Sequence, residues 1–199
     1  EEFPSPSAAP PRSVRISFLP PPLEGTISLG IYDGNGTLVR VLHQQAELNK
    51  FTIGADALLT QWDGKNDQGE DLPPGKYHAR GYLVGPLRAE PMSNSSPPGD
   101  VMVPTNVQIK LIPNPLAKDR RQTVELGARL DQEKSFLGTA DGLPLFTIDE
   151  KPGLTRVVMK KSGQNSVDIW EEGSGQAVQF RVSNLDQMMA FDCGEFELK

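Results

Sequence analysis

The chain has 199 residues and a formal net charge of −6, room for one large or two small domains and the wrong sign for a nucleic-acid binder. Nineteen glycines and eighteen prolines punctuate it, which disfavours long helices and favours short strands joined by turns. The single cysteine, Cys193, excludes an intrachain disulfide, and no apolar run approaches the roughly 20 residues of a membrane-spanning helix.

Residues 1–12, "EEFPSPSAAPPR", are rich in Pro, Ser and Ala and read as a flexible leader. A chain that starts at Glu1 rather than Met fits the mature form of an exported protein, its signal peptide removed. Val14, Ile16 and Phe18 then alternate with Arg15 and Ser17, the pattern of a half-buried strand. Ile27, Leu29 and Ile31 alternate with Ser28 and Gly30, and Asp33-Gly34-Asn35-Gly36 turns the chain into Leu38–Leu42, a hairpin signal. "KFTIG" and "LLTQW" are two further short strands. Trp62 ends the second and is large enough to plug a small sandwich core. Asp63-Gly64 and Asp67-Gln68-Gly69 predict tight turns in which Asp accepts local backbone N–H groups. Pro74-Gly75 suits the centre of a type II turn. Lys76–Val84 is the next strand, with Tyr77, Ala79, Gly81 and Leu83 on one face and therefore His78 on the other.

The stretches "ISLGIYDGNGTLVRVL" and "WDGKNDQGEDLPPGKY" resemble the Ig-like domain at the C-terminus of the flagellar hook-capping protein FlgD, a domain also found in bacterial exported multidomain proteins. The resemblance covers about residues 14–84, less than half of the chain. It implies an Ig-like β-sandwich over residues 13–85 and a scaffolding role. As a functional signature it is broad, because one such domain serves many different proteins.

Residues 86–106 hold five prolines and a Ser/Asn cluster and read as an interdomain linker. Beyond it, "NVQIKLIP", "QTVELGARL", "SFLGTADGLPLFTID", "TRVVMKK", "SVDIWEE", "AVQFRVS" and "QMMAFD" are strand-like, each bounded by turn residues, before "GEFELK" closes the chain. Residues 107–199 therefore form a second antiparallel β domain. It is either a sandwich or a set of partial propeller blades, since "FLGTADGLPLFTID" resembles one blade of a bacterial sensor propeller and a closed propeller needs at least four.

The chemistry-bearing residues are sparse. His43 and His78 have no nucleophile elbow near them in sequence, and "GSG" at 173–175 has the wrong spacing for one. Cys193 reads as a small core residue. No zinc spacing is present, and neither Gly-rich loop has the strand–helix setting of a phosphate cradle. Asp63, Asp67 and Glu70, with Asn66 and Asp71 between and beside them, crowd one turn region as candidate calcium ligands. Lys65 breaks the alternation of a calcium loop, so turn capping is the favoured reading. Lys118, Arg120 and Arg121, and Lys160-Lys161, are small basic clusters read as solvated turns. Trp170 falls out of phase with Val167 and Ile169 and is the candidate exposed platform for a sugar.

These readings converge on an all-β, non-catalytic chain: an exported or cell-surface module for protein–protein assembly or attachment, with no catalytic residue and no cofactor. Its partner would be a protein or a cell-surface glycan, not nucleic acid. The alternatives are a carbohydrate-binding accessory domain of a secreted hydrolase, and a fragment of a propeller protein or flagellar hook scaffold.

Overall fold

The computed structural model describes residues 12–101, 105–116 and 120–199. Of the expected leader, all but Arg12 lies outside the described residues, as does Lys118. The described chain is all-β, as the sequence predicts: fifteen strands lie in four antiparallel sheets, with no α-helix among the described residues.

In chain order the strands are β1 (Val14–Phe18), β2 (Thr26–Tyr32), β3 (Leu38–Ala46), β4 (Thr52–Ile53), β5 (Leu58–Trp62), β6 (Gly75–Val84), β7 (Arg88–Pro91) and β8 (Val107–Lys110). There follow β9 (Thr123–Asp131), β10 (Lys134–Thr139), β11 (Pro144–Glu150), β12 (Leu154–Lys161), β13 (Val167–Gly173), β14 (Val178–Ser183) and β15 (Met188–Leu198). An outer sheet has the order β1-β5-β4, a central sheet β15-β6-β2-β3, a third β11-β10-β9-β8 and a fourth β12-β13-β14-β7.

Turn chemistry sets the hairpins. At the β2–β3 turn, Asp33 Oδ1 accepts the N–H groups of Asn35 and Thr37, each at 2.9 Å, and Gly36 supplies a φ of +78° that other residues adopt at a cost. The outer sheet packs on one face of the central sheet through Ile16, Phe18, Leu58 and Trp62 against Ile27, Leu29, Ile31, Tyr77, Ala79 and Phe191. The other face of the central sheet, with Tyr82, Val84, Met188 and Ala190, joins a second core. Leu126, Leu137 and Leu145 of the third sheet and Met159, Ile169 and Val182 of the fourth complete that core. The third and fourth sheets thus face one another across shared apolar side chains, a sandwich-like arrangement.

The structure corrects the expected division into 13–85, a linker and 107–199 in two places. First, β15, from the end of the chain, pairs with β6 along Met188–Leu198 and places Phe191 and Leu198 in the first core. A bulge makes this possible. Asp192 opposes Arg80 and Gly194 opposes Ala79, leaving Cys193 as an extra residue, with Gly194 at φ +88°. An extra residue inverts the side-chain alternation, so Phe191 before it and Phe196 and Leu198 after it all turn to the same core. Each such side chain contributes about 1.5–3 kcal/mol when fully buried.

Second, the segment expected as a linker covers a sheet. Arg88–Pro91 pairs with β14, the Met92 N–H donates to the Gln179 carbonyl at 2.7 Å, and Ser95 Oγ donates to Gln179 Oε1 at 2.9 Å. Asp100 pairs with Lys160 at 2.8 Å, and Val101 packs on Trp170 and Val158. Proline-rich, aperiodic sequence here marks a chain lying across a sheet rather than one crossing open solvent.

Candidate binding surfaces

A groove of about 630 Å³ runs beside β8. One wall is the chain from Gln108 to Pro113, the other Lys161, Gln164, Asn165 and Asp186. β8 is the end strand of the third sheet and, among the described strands, pairs with β9 alone. Leu111 N–H donates to the Gln122 carbonyl at 2.8 Å, in the same register as Ile109↔Val124 and Val107↔Leu126. Hydrogen-bonded pairs alternate along an antiparallel ladder, so Gln108 and Lys110 turn their N–H and C=O groups away from β9. One of these is already engaged, because Lys161 Nζ donates to the Gln108 carbonyl at 3.3 Å. Just beyond Lys110 the same side of the segment is closed, where the Ile112 N–H donates to the Met188 carbonyl at 3.0 Å. Side chains also cap points on other end strands: the β11 Thr147 N–H and Oγ1 donate to Gln45 Oε1 at 3.0 and 2.7 Å, the β3 Val41 N–H to Asp67 Oδ1 at 2.9 Å. Thr105 Oγ1 donates to the Met159 carbonyl of β12 at 3.2 Å.

A second polar locus lies where the β10–β11 turn meets the central sheet. The Arg80 guanidinium lies 4.2 Å from the centre of the Tyr32 ring and 3.8 Å from Asp141. His78 Nε2 is 2.7 Å from both Asp192 oxygens. Burial pushes the Tyr32 hydroxyl well above the ordinary phenol range, with Asp141 adding to the rise, so it stays protonated. Burial likewise pushes the Cys193 thiol up, which makes it a poor thiolate. The adjoining cavity is about 200 Å³. The cluster ties the hairpin turn to the sheet, and Arg121 does the same at its other end. Arg121 lies 4.7 Å from the Tyr82 ring centre and donates to the Gly81 and Phe191 carbonyls at 3.3 and 3.0 Å.

The acidic turn is not gathered around a point. Asp63 Oδ1 accepts the Lys65 N–H at 3.1 Å, Asp67 caps the β3 edge as above, and Glu70 Oε2 accepts Asn66 Nδ2 at 2.8 Å. Asn66 Oδ1 in turn accepts the N–H groups of Gln68 and Glu70 at 3.0 and 2.9 Å. No group of three or more His, Cys, Asp or Glu side chains among the described residues is placed to hold a metal ion.

Trp170, expected as an exposed platform, is 4 % exposed, and this is a correction. β13 lies between β12 and β14, so one face of it meets the second core, and the segment ending at Val101 covers the other. Strand phase alone assigns an outward face to solvent; here another segment of the chain occupies it. Gln108 and Lys110 went unnoticed in the sequence because a four-residue strand with a lysine, ended by Pro113, reads as a strand without revealing which sheet edge it occupies. Its shortness and its lysine are nonetheless edge signals.

Among the described residues no helix is long and apolar enough to cross a membrane. Compared with known proteins, the chain matches no family model, no curated protein sequence and no solved structure.

Proposed function

We propose that the chain is a non-catalytic, exported β module that assembles with a protein partner by accepting an extended segment of it as a further strand on β8. The observation that carries this is the outward N–H and C=O pattern of Gln108 and Lys110 beside the 630 Å³ groove. Strand addition draws affinity from main-chain hydrogen bonds and specificity from side-chain pockets. Lys110, exposed at the groove wall, and Lys161 opposite favour a segment with acidic side chains. The FlgD-type resemblance of residues 14–84 supports an assembly role and an exported setting. The aromatic-platform form of the carbohydrate reading loses ground. The exposed large apolar side chains among the described residues are Leu19, Leu48, Ile53, Met92 and Leu116, all aliphatic.

The test is selection of displayed random decapeptides on the full chain, followed by hydrogen exchange with the enriched peptides. Protection of the Gln108 and Lys110 amides is expected. Gln108→Pro removes one outward donor without touching the β9 ladder and should weaken binding about tenfold. Lys110→Glu should select against acidic peptides. Enriched peptides that protect a different surface would overturn the reading, as would a failure to enrich any.

A further inference from the structure

A different groove, of about 430 Å³, lies on the outer sheet, bordered by Arg15, Lys50, Thr52, Leu59, Thr60 and Gln61. We infer that it binds an anionic saccharide, its acid groups held between Arg15 and Lys50.

The first observation is charge. The chain carries a net charge of −6, and most of its described cations are engaged. Lys65, Lys76, Arg88, Lys134, Arg156, Lys160 and Arg181 each pair with a carboxylate. Arg15 and Lys50 have no hydrogen-bond or ion-pair partner among the described residues, and no carboxylate borders their groove. The acid nearest Lys50 in sequence, Glu47, forms no ion pair with it and accepts from Asn49 Nδ2 at 3.2 Å. Two unneutralised cations at one groove in an acidic chain make a local site for oxyanions.

The second observation is register. Arg15 lies directly opposite Gln61, and Leu59 opposite both Ser17 and Thr52. Residues in register share a face, so Arg15, Gln61, Leu59 and Thr52 project from the same outer surface. β1 and β4 flank β5, and Lys50, in the single 3-10 turn Leu48–Lys50 just before β4, borders the groove together with Arg15 of β1. Between them lie an apolar patch, Leu59, an amide and a hydroxyl. Ser13 Oγ, 3.5 Å from Gln61 Oε1, leaves the Gln61 NH₂ free to donate.

The third observation separates a saccharide from an acidic peptide. The floor of this groove is β5, which is paired on both sides, so a ligand lying across that floor meets side chains rather than open main-chain groups. Side-chain hydroxyl and amide groups over an apolar patch match a ring bearing hydroxyls and acid groups. At the β8 groove the reverse holds, and a peptide is favoured there. The two inferences rest on different observations.

Calorimetric titration of the full chain in 0.15 M salt tests this with four probes. These are oligogalacturonate for carboxylates, a heparin octasaccharide for sulfates, neutral maltohexaose and oligoglutamate. Saturable binding of at least one anionic saccharide is expected, with none for maltohexaose and at least tenfold weaker binding of oligoglutamate. Arg15→Gln and Lys50→Gln should each weaken binding about fivefold or more, and the double variant should abolish it. Arg120→Gln, exposed and outside the groove, should bind as the parent does. Thermal melts should show both groove variants folded, since neither side chain is buried. No binding by either anionic saccharide, binding unchanged in the double variant, or equal binding of oligoglutamate would each overturn the inference.

Discussion

The two cores on either side of the central sheet are built from different chemistry. The first is held by aromatic rings in defined orientations. Phe18 stacks on Phe191 at 4.8 Å and meets Phe51 edge-on at 5.5 Å, while Trp62 meets Tyr77 and Phe196 edge-on at 5.2 and 5.8 Å. The second is almost wholly aliphatic, with Tyr82 as its buried aromatic. It is pinned instead by buried polar groups, among them Ser135 and Glu171, which hydrogen-bond across the facing sheets. Ring orientation fixes the first core without charge. The second gains its register from groups that are costly to bury, and so a buried carboxylate makes its stability depend on pH.

The comparison would break most completely if the two cores proved independent. They share β6 and β15, so residues 12–85 alone lack Phe191 and Leu198 and one neighbour of β6. A fragment of residues 12–85 is expected not to fold, giving collapsed amide dispersion by NMR, while the full chain melts in one transition. A folded fragment, or two separated melting transitions, would show two domains with an accidental junction.

Next in size are truncations within each core. Trp62 is 1 % exposed and donates its indole N–H to the Lys65 carbonyl at 2.9 Å. Trp62→Ala should cost about 3–5 kcal/mol and Leu145→Ala, in the second core, about 2–5 kcal/mol. Because the cores share a sheet, both should lower the same denaturant midpoint. In a Trp170→Phe background the fluorescence of Trp62 should be that of a buried indole. A Trp62→Ala loss below about 1 kcal/mol would remove the aromatic core from its assigned importance.

Much of this was legible in the sequence. The alternation of Val14, Ile16 and Phe18 gave β1, Asp33–Gly36 gave the first hairpin turn, and Trp62 announced the first core. The capping role of Asp63 follows from local turn chemistry, which a sequence displays. What was not legible is long-range: that residues 188–198 return to β6, that Arg88–Val101 roofs Trp170, and that β8 is an edge. Local pattern specifies which face of a strand is apolar but not which distant segment will cover it. The bulge at Cys193 hid a further step, because it shifts the phase on which the face assignment rests.

A smaller effect should come from Glu171, 2 % exposed, whose Oε1 accepts from Ser135 Oγ and whose Oε2 has no partner among the described residues. Burial raises its pKa above the ordinary carboxylate value, the nearby Asp149 adds to the rise, and Ser135 and Lys151 oppose it. With the folded value above the unfolded one, the folded state holds the extra proton. Stability therefore falls as pH rises from the ordinary carboxylate value through the raised one, and the deficit is full above it. Glu171→Gln should raise the melting temperature by about 2–4 °C at pH 8, equivalent to roughly 1 kcal/mol for a chain of this size, with no gain at pH 4. A uniform change at both pH values would indicate a packing effect rather than titration.

The smallest expected effect belongs to the first core and has the opposite sign. His43, in β3, lies against Phe51 with ring centres 4.4 Å apart, and its Nε2 is 2.7 Å from Thr60 Oγ1. Partial burial lowers its pKa below 6.5, so the folded state disfavours the imidazolium. The unfolded chain then binds the proton more readily, and stability is lost as pH falls from about 6.5 through the lowered value. His43→Gln keeps a polar group beside Thr60 and removes the titration. Its melting temperature should match the parent to within about 1 kcal/mol equivalent at pH 8 and exceed it at pH 5. His78→Gln is the control, because His78 pairs with Asp192 at the surface rather than lying in the core. Because the two slopes oppose each other, the single variants should tilt the stability–pH curve in opposite directions, Glu171→Gln removing the loss toward high pH and His43→Gln the loss toward low pH. A loss on acidification that survives His43→Gln but disappears in His78→Gln would move the acid-sensitive group out of the first core.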